Sequence, residues 1–271
     1  MRIAIVTGAS SGIGREFALV ISEKYKYDRI WLIARRENRL YETASLMTTA
    51  AEIIPMDLSC EESLIDLGEK LENEKPVIGL LVNAAGFGKF GSVDSQNTED
   101  LADMIDVNIR ALTLITRMCL PFMAPNGAIL NMASASSFLP MPDMNVYSAT
   151  KAYVLHFSRA LADEIKNSGV SVTAVCPYWV NTEFIPVAKK SPQGDAVNNF
   201  LFITYPFRVV NKALCDNEND FLYSYPDIVP LLIKMLSRIL PESMQIKIWN
   251  KIKYIRSLRY NQQFPEQLPL Q

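Results

Sequence analysis

The first 25 residues constrain the fold most strongly, because a short apolar run leads through a glycine-rich turn into a helical pattern. Residues 3–7 form the run, and the turn after it contains Gly8, Ser10, Ser11, Gly12, Ile13 and Gly14. Between a first strand and a helix, such a turn lets backbone N–H groups approach a pyrophosphate, and the helix N-terminus adds its dipole. A plain tight turn is the alternative interpretation, but the strand before it and the helix after it favour nucleotide binding.

Short apolar runs alternate with helical stretches over the first 180 residues, which predicts parallel β-α-β units. The runs are apolar throughout, as expected for strands that helices cover on both faces. They lie at residues 3–7, 30–34, 52–56, 78–83, 128–133 and 170–176. No internal repeat or linker interrupts the pattern, so we expect a single α/β domain, a doubly wound parallel sheet, over residues 1–226.

The pattern changes after residue 180. Residues 181–205 predict a long irregular loop with one helix, of the kind that often forms a lid over a substrate. A helix at residues 207–214 and a short strand at residues 221–225 should follow. Residues 227–271 then predict a C-terminal helical extension packed on the domain.

Composition and charge exclude several classes of function. Hydrophobic residues make up 49% of the chain and charged residues 21%, and the formal net charge of −2 does not indicate nucleic-acid binding. With one histidine and four well-separated cysteines, no metal site is expected. The apolar start is too short for a signal peptide or a membrane span, which predicts a cytoplasmic protein.

The second apolar run ends in Ala34, Arg35 and Arg36, with no acidic residue at this corner. In a nucleotide-binding sheet this is where the 2′ group of the adenosine ribose lies. An acid there accepts a hydrogen bond from the 2′-hydroxyl of NAD, whereas an arginine suits the 2′-phosphate of NADP. The alternative is a solvated pair of surface arginines, but the position favours NADP(H).

A tyrosine and a lysine, Tyr147 and Lys151, lie four residues apart, and on a helix both project from one face. A nearby ammonium favours the phenolate and should lower the tyrosine pKa, giving a usable acid or base near neutral pH. Ser134 follows the fifth apolar run, at the carboxyl edge where ligands bind in such sheets. A turn or helix-capping serine is the alternative role for Ser134.

Taken together, these motifs resemble the short-chain dehydrogenase/reductase family in order and spacing. The resemblance covers residues 1–182 well and depends on the glycine-rich turn, Asn83-Ala84-Ala85-Gly86, Asn108, Ser134, Tyr147 and Lys151. It implies a seven-stranded Rossmann fold with strand order 3-2-1-4-5-6-7. It also implies an NADP(H)-dependent enzyme that interconverts a carbonyl and an alcohol by hydride transfer.

The resemblance also implies roles for single residues. Tyr147 would exchange a proton with the substrate oxygen, Ser134 would hold that oxygen, and Lys151 would bind the nicotinamide ribose. Asn108 would hold a water molecule in a proton relay. The remaining cofactor contacts would come from Asp57 and Leu58 near the adenine, from Asn83, Ala84 and Gly86, and from Pro177, Val180 and Thr182.

Two positions depart from the family pattern: Ala133 precedes Ser134 where a second serine is usual, and Tyr178 follows Pro177 where glycine is usual. A glycine there permits close approach of the backbone to the cofactor. We therefore expect Tyr178 to change the local nicotinamide contacts and to form a wall of the substrate pocket.

The C-terminal extension combines an apolar helical face with a basic charge. Between residues 228 and 260 there are seven lysines and arginines and one acid, Glu242. The predicted apolar face consists of Ile228, Leu231, Leu232, Met235 and Ile239. Either this face packs on the domain, or it lines a large apolar substrate pocket as a lid whose basic side meets an anionic substrate tail or acidic lipid.

The predicted substrate is an apolar ketone or secondary alcohol, either steroid-like, bile-acid-like or an acyl ketone. The C-terminal part resembles a bacterial branch of the family with a basic tail, and residues 191–197 resemble a loop of some bacterial hydroxysteroid dehydrogenases. A cofactor-binding sensor without turnover and a membrane-peripheral scaffold remain as alternatives. We further expect a homodimer or homotetramer and, at most, weak contact of the C-terminal helices with a membrane surface.

Overall fold

Seven parallel strands form one sheet in the order β3-β2-β1-β4-β5-β6-β7, as predicted. The computed structural model describes residues 1–198, 200 and 202–263, with side chains as far as residue 252. The strands are β1 (Arg2–Thr7), β2 (Arg29–Ala34), β3 (Ala51–Pro55), β4 (Val77–Asn83), β5 (Met123–Met132), β6 (Ser171–Val175) and β7 (Tyr223–Ser224).

Helices cover both faces of this sheet. They are α1 (Gly12–Lys24), α2 (Glu37–Ala44), α3 (Glu61–Glu74), α4 (Thr98–Ile105), α5 (Leu112–Cys119), α6 (Asn145–Glu164), α7 (Phe184–Ala188), α8 (Pro206–Glu218), α9 (Ile228–Ile239) and α10 (Glu242–Gln263). Within the described part of the chain, no helix is both long enough and apolar enough to cross a membrane.

The core divides into two apolar layers because successive side chains of a strand point to opposite faces of the sheet. From β1, Ala4 and Val6 pack in the layer that contains Phe17 of α1. Ile3 and Ile5 pack in the layer that contains the leucines of α3. This double burial explains why the strands are continuous apolar runs in the sequence.

The sheet places a crevice at its carboxyl edge. β1 lies between β2 and β4, so the strand order reverses direction at β1, and ligands bind at such a switch point. The turn after β1 uses positive φ angles at Gly8 (+70°) and Gly12 (+54°), which favour glycine. A Cβ at Gly14 would lie 2.4 Å from the carbonyl oxygen of Gly8, so this position also requires glycine.

The segment after β6 contains the one helix that the sequence predicts, and the elements that follow differ from the predictions in length. The predicted loop, residues 181–205, contains α7 and a short 3-10 turn, and α8 extends beyond the predicted helix at residues 207–214. The predicted strand at residues 221–225 is reduced to the two residues of β7, which pair with β6 at the edge of the sheet.

The helices of the C-terminal extension pack at the carboxyl edge of the sheet. The Trp249 indole of α10 is buried and donates a hydrogen bond to the Pro142 carbonyl oxygen at 2.9 Å. Lys234 of α9 donates to the Tyr225 hydroxyl at 2.6 Å and lies over the Tyr223 ring. Residues 264–271 of the predicted extension lie outside the described residues.

The predicted apolar face of α9 is exposed, contrary to both roles that the sequence suggests for it. Ile228, Leu232, Met235 and Ile239 are between 49% and 77% exposed. A second apolar row, displaced by about one position along the helix, lines the cavity instead: Val229 and Ile233, the partly exposed Leu236, and Leu240 directly after α9. The prediction was wrong because α9 is apolar over most of its circumference, so helical periodicity alone does not identify the inward row.

Candidate active site

A cavity of about 600 Å³ runs along the carboxyl edge, from the glycine-rich turn to α9 and α10. Nineteen of the residues singled out in the sequence line it: Gly8, Ser10, Ser11, Gly12, Ile13, Gly14, Arg35, Arg36, Asp57, Leu58, Ala84, Gly86, Ser134, Tyr147, Lys151, Pro177, Tyr178, Val180 and Thr182. The structure therefore places segments that are distant in the sequence around one site. Asn83 and Asn108 lie behind the lining.

The glycine-rich end of the cavity is shaped for a phosphate group. Ser11 is the residue before α1, and its side chain makes no capping hydrogen bond, so the first N–H groups of the helix remain available to a ligand. A Cβ at Gly8 would lie 2.9 Å from the Ala84 backbone, and one at Gly12 would lie 3.2 Å from Thr182. Because Gly8 and Gly12 have no side chains, the glycine-rich turn stays open to a phosphate group.

The two arginines at the end of β2 have different surroundings. Arg36 donates to Ser11 Oγ at 2.8 Å, to Ser10 Oγ at 3.3 Å and to Glu183 Oε2 at 2.8 Å. Its hydrogen bond and charge hold the pKa of Glu183 below the ordinary range. Arg36 thus joins the glycine-rich turn to the segment that leads into α7.

Arg35 is the more exposed arginine, with 65% of its side chain accessible, and its Nη1 lies 3.8 Å from Asp57 Oδ2. Partial burial would raise the pKa of Asp57, but hydrogen bonds from Ser59 and the charge of Arg35 hold it below its usual value. Asp57 and the buried Leu58 follow β3, so they extend the cavity beyond the glycine-rich turn.

The central part of the cavity combines Ser134, Tyr147 and Lys151. Ser134 follows β5, and the other two lie one turn apart on α6. Burial raises the pKa of Tyr147 to about 12, although a hydrogen bond with Ser134 acts in the opposite direction. Burial also lowers the pKa of Lys151 to about 8.

The expected lowering of the Tyr147 pKa by Lys151 is therefore not seen. The Lys151 Nζ lies 5.8 Å from the centre of the Tyr147 ring and donates a hydrogen bond to the Met132 carbonyl oxygen at 2.7 Å. Because both groups are buried, loss of solvation dominates for each. The tyrosine is consequently a phenol at neutral pH, and the lysine titrates close to neutrality.

Asn108 lies at a change of helical geometry. Residues Asp106–Ala111 form a π-helical segment between α4 and α5, and such segments are frequent at functional sites. The Asn108 amide donates to the Phe87 carbonyl oxygen at 2.9 Å and to Thr150 Oγ1 at 3.1 Å. Its Oδ1 accepts from the Phe87 N–H at 3.1 Å. Its side chain thus ties the loop after β4 to α6.

Asn83 has a different position from its neighbours Ala84 and Gly86. Its Nδ2 donates to Asn131 Oδ1 at 2.8 Å and to Thr116 Oγ1 at 3.0 Å, and the side chain is buried under the cavity floor. These bonds link β4, β5 and α5. Asn83 therefore supports the loop that carries Ala84 and Gly86 instead of facing the cavity itself.

The far end of the cavity is apolar and contains several residues that the sequence motifs missed. Phe184 of α7 lies against Tyr147, with ring centres 5.2 Å apart, and Tyr178 lies beside Trp179 at 5.7 Å. The other apolar lining residues include Met141, Met144, Val187, Val229, Ile233, Leu240, Trp249 and Ile252. For Phe184, Val187 and the residues of the C-terminal helices, the available signal was their location in the predicted lid segments. Met141, Met144 and Trp179 lie outside those segments, and no motif marks them.

Comparisons with known proteins agree with this geometry. The family model described as short chain dehydrogenase matches residues 2–192. An uncharacterized oxidoreductase of Staphylococcus epidermidis is 34% identical over 183 residues, covering 67% of this chain and 79% of that protein. A very-long-chain 3-oxoacyl-CoA reductase of Bos taurus is 29% identical over 274 residues, covering 95% of this chain and 83% of that protein. Among solved structures, a short-chain dehydrogenase from Sphingobium yanoikuyae in complex with NADPH has a TM-score of 0.74 and 29% identity, over 84% of this chain and 89% of that one.

Proposed function

Because the chain belongs to the short-chain dehydrogenase/reductase family of oxidoreductases, we propose that it interconverts an apolar ketone and its secondary alcohol with NADP(H). One observation carries this proposal: a single cavity joins a phosphate-binding turn, a buried Ser134, Tyr147 and Lys151 group, and an apolar end. A non-catalytic sensor would need the first of these features but not the second.

The cofactor would extend along the cavity from Asp57 to Tyr147. Its pyrophosphate would meet the N-terminus of α1, and its adenosine 2′-phosphate would meet Arg35, Arg36 and Ser10. Two arginines and two serine hydroxyls at this corner form a donor set suited to a phosphate, which favours NADP(H) over NAD(H). The solved relative from Sphingobium yanoikuyae, which was crystallised with NADPH, supports the same choice.

Tyr147 and Ser134, in the central part of the cavity, would both act on the substrate oxygen. When bound, NADPH would supply the hydride that reduces the carbonyl carbon, and NADP⁺ would accept it from the alcohol carbon in the reverse direction. Tyr147 donates its hydroxyl proton to the carbonyl oxygen during reduction, and its raised pKa keeps it protonated for that task at neutral pH. Ser134 holds the same oxygen by a hydrogen bond.

Lys151 and Asn108 would complete the proton path. With a pKa of about 8, Lys151 can give up and regain a proton near neutral pH and so restore Tyr147. Asn108, whose side chain is fixed by Phe87 and Thr150, would hold the relay water.

The substrate would occupy the apolar end, between Tyr178, Phe184 and the inward row of α9. Residues 181–205 and the C-terminal helices together form a lid in this proposal, because both contribute to the lining. Phe184 contacts Tyr147 from one segment, and Trp249 packs in the same apolar cluster from the other. A pocket enclosed in this way suits a bulky apolar ketone such as a long-chain acyl ketone or a steroid.

A substrate screen tests the proposal. Long-chain 3-oxoacyl thioesters, steroid and bile-acid ketones and small ketones should be compared with NADPH and with NADH, following the absorbance of the reduced nicotinamide. We expect turnover with NADPH and a preference for the bulky apolar ketones. Binding of NADPH without turnover of any carbonyl would instead support the sensor alternative.

A further inference from the structure

The outward face of α9 is apolar. Six residues of this helix are exposed, and five of them are large and apolar, while the sixth is Arg238. Ile239 is 77% exposed and Ile228 is 65% exposed. A surface helix of a soluble domain normally turns its polar residues outward, whereas α9 is apolar on its outward face as well as on its inward face.

This outward face is continuous with the mouth of the cavity. Leu236 of α9, Ile248 of α10 and Phe202 of the preceding loop all line the cavity and are also exposed, to 53%, 43% and 73% respectively. Exposed apolar side chains therefore extend from the entrance of the site over α9. A surface that covers this face would also cover the entrance.

Cations outnumber acids beside the apolar face, where the acids are Asp227 and Glu242. Arg238 is exposed on α9, and Lys247 and Lys251 are exposed on α10 beside Ile248. Within residues 228–252 the one acid is Glu242, against four lysines and arginines. Lys234, the fourth cation, is directed inward to Tyr225. An occupant of this surface should therefore be apolar in its interior and anionic at its boundary.

An anionic lipid surface has this combination, because acyl chains lie beneath a layer of phosphate headgroups. A second copy of the chain fits less well. A twofold contact through this face would bring Arg238, Lys247 and Lys251 of both copies into one interface, and an excess of like charges at an interface opposes association.

We infer that α9 and α10 form a lipid-docking surface, which rests on an anionic membrane with the cavity entrance facing the acyl chains. Ile228, Leu232, Met235 and Ile239 enter the interfacial layer, and Arg238, Lys247 and Lys251 contact headgroup phosphates. Apolar substrates dissolved in the bilayer then reach the cavity without crossing water. The docking itself does not depend on the proposed chemistry, so it can be tested without substrate.

Vesicle flotation with the full chain provides the first test. Wild-type protein should float with vesicles of phosphatidylcholine mixed with phosphatidylglycerol and bind clearly less to phosphatidylcholine alone. Added salt should weaken the binding, because it screens the attraction between the cations and the headgroups. Failure to bind the anionic vesicles at low salt would overturn the proposal.

Variants with matched controls locate the surface. Leu232→Ser with Ile239→Ser removes two outward side chains that do not line the cavity, and it should lower the vesicle partition coefficient at least about tenfold. Ile65→Ser changes a similarly exposed isoleucine on α3 (54% exposed) and should have little effect. Arg238→Gln should lower the partition coefficient about fivefold, and Lys26→Gln, at an exposed lysine after α1, should not change it.

Turnover of a small water-soluble ketone should remain unchanged in the Leu232→Ser, Ile239→Ser variant, since neither side chain faces the cavity. Equal loss of vesicle binding in the control variants would overturn the assignment to α9. A wild-type dimer that dissociates on Leu232→Ser with Ile239→Ser, without vesicle binding, would show that the face binds a second copy instead. Loss of turnover alone would count against the proposed function and not against the docking surface.

Discussion

The preference for NADPH over NADH should depend on Arg35 and Arg36, and the structure predicts how replacement of each should act. A charge-assisted hydrogen bond from an arginine to the 2′-phosphate contributes about 1.5–3 kcal/mol. Arg35→Ala should therefore raise the Kd for NADPH about ten- to a hundredfold. The Kd for NADH should change little, because Arg35 is mostly exposed and lies near Asp57 and not at the glycine-rich turn.

Arg36→Ala should affect both cofactors, although unequally. Its guanidinium contacts Ser10, Ser11 and Glu183, so its removal leaves the Glu183 carboxylate beside the phosphate-binding turn without its cation. We expect a loss of NADPH affinity similar to that in Arg35→Ala. We also expect a smaller loss of NADH affinity, because the Glu183 carboxylate would repel the pyrophosphate.

Glu183→Gln separates these effects. Glu183 and the 2′-phosphate compete for Arg36, so neutralising Glu183 should tighten the binding of NADPH. The Arg36–Glu183 pair is about half exposed, with both side chains 45% accessible, which limits its strength to about 1 kcal/mol and the gain to about fivefold. Isothermal titration calorimetry of each variant with both cofactors measures these changes.

Two results would refute this reasoning. An equal loss of NADPH and NADH affinity in Arg35→Ala would show that Arg35 does not recognise the 2′-phosphate. Weaker NADPH binding in Glu183→Gln would show that the Arg36–Glu183 pair closes over the bound cofactor instead of competing with it.

Three further predictions follow from the buried lysine, the glycine-rich turn and the C-terminal helices. Because the pKa of Lys151 falls from 10.5 to about 8 on folding, its buried charge costs about 3 kcal/mol below pH 8 and nothing above about pH 10.5. Lys151→Met should therefore raise the unfolding free energy at pH 7, and this gain in stability should fade between pH 8 and 10.5. Denaturant titrations across this pH range measure it, and a gain that does not change with pH would show that it does not come from the buried charge. Gly14→Ala should abolish cofactor binding, because the Cβ of the alanine would lie 2.4 Å from the Gly8 carbonyl oxygen. Ala18→Gly on the same helix is the control and should retain binding, and calorimetry measures both variants. Truncation after Pro226 should leave the NADPH affinity close to that of the full chain and raise KM for bulky ketones far more than for small ones. Unchanged kinetics on every ketone would show that the C-terminal helices do not form a lid.

The strands of the sheet could be predicted from the sequence because their signals are local and repeated, and their order could be predicted because the family resemblance implies it. Each strand is a continuous apolar run, and the glycine-rich turn identifies the first β-α unit. Once the family resemblance is recognised from the glycine-rich turn, Asn83–Gly86, Asn108, Ser134, Tyr147 and Lys151, the order of the seven strands follows and is confirmed. The same motifs predicted which residues would surround one cavity, and all but Asn83 and Asn108 lie in its lining.

Properties that depend on packing could not be predicted in this way. Helical periodicity selected Ile228, Leu231, Leu232, Met235 and Ile239 as the face of α9 that packs on the domain or lines the pocket, and four of these five residues are exposed. The helix has two apolar rows, and only tertiary contacts decide which one faces inward. The direction of the Tyr147 pKa shift was also missed, because the spacing to Lys151 reveals a neighbouring charge but not the loss of solvation that outweighs it. Glu183 carries no sequence motif, so its pairing with Arg36 appears only in the folded chain.

The most direct test of the central claim is the turnover of Tyr147→Phe, measured together with NADPH binding. The substitution removes the hydroxyl that exchanges a proton with the substrate and leaves the ring packed against Phe184. We expect kcat for the best ketone of the screen to fall at least about a hundredfold, with the Kd for NADPH close to that of the wild type. Turnover near the wild-type rate, with NADPH bound normally, would contradict the role of Tyr147 as the catalytic acid.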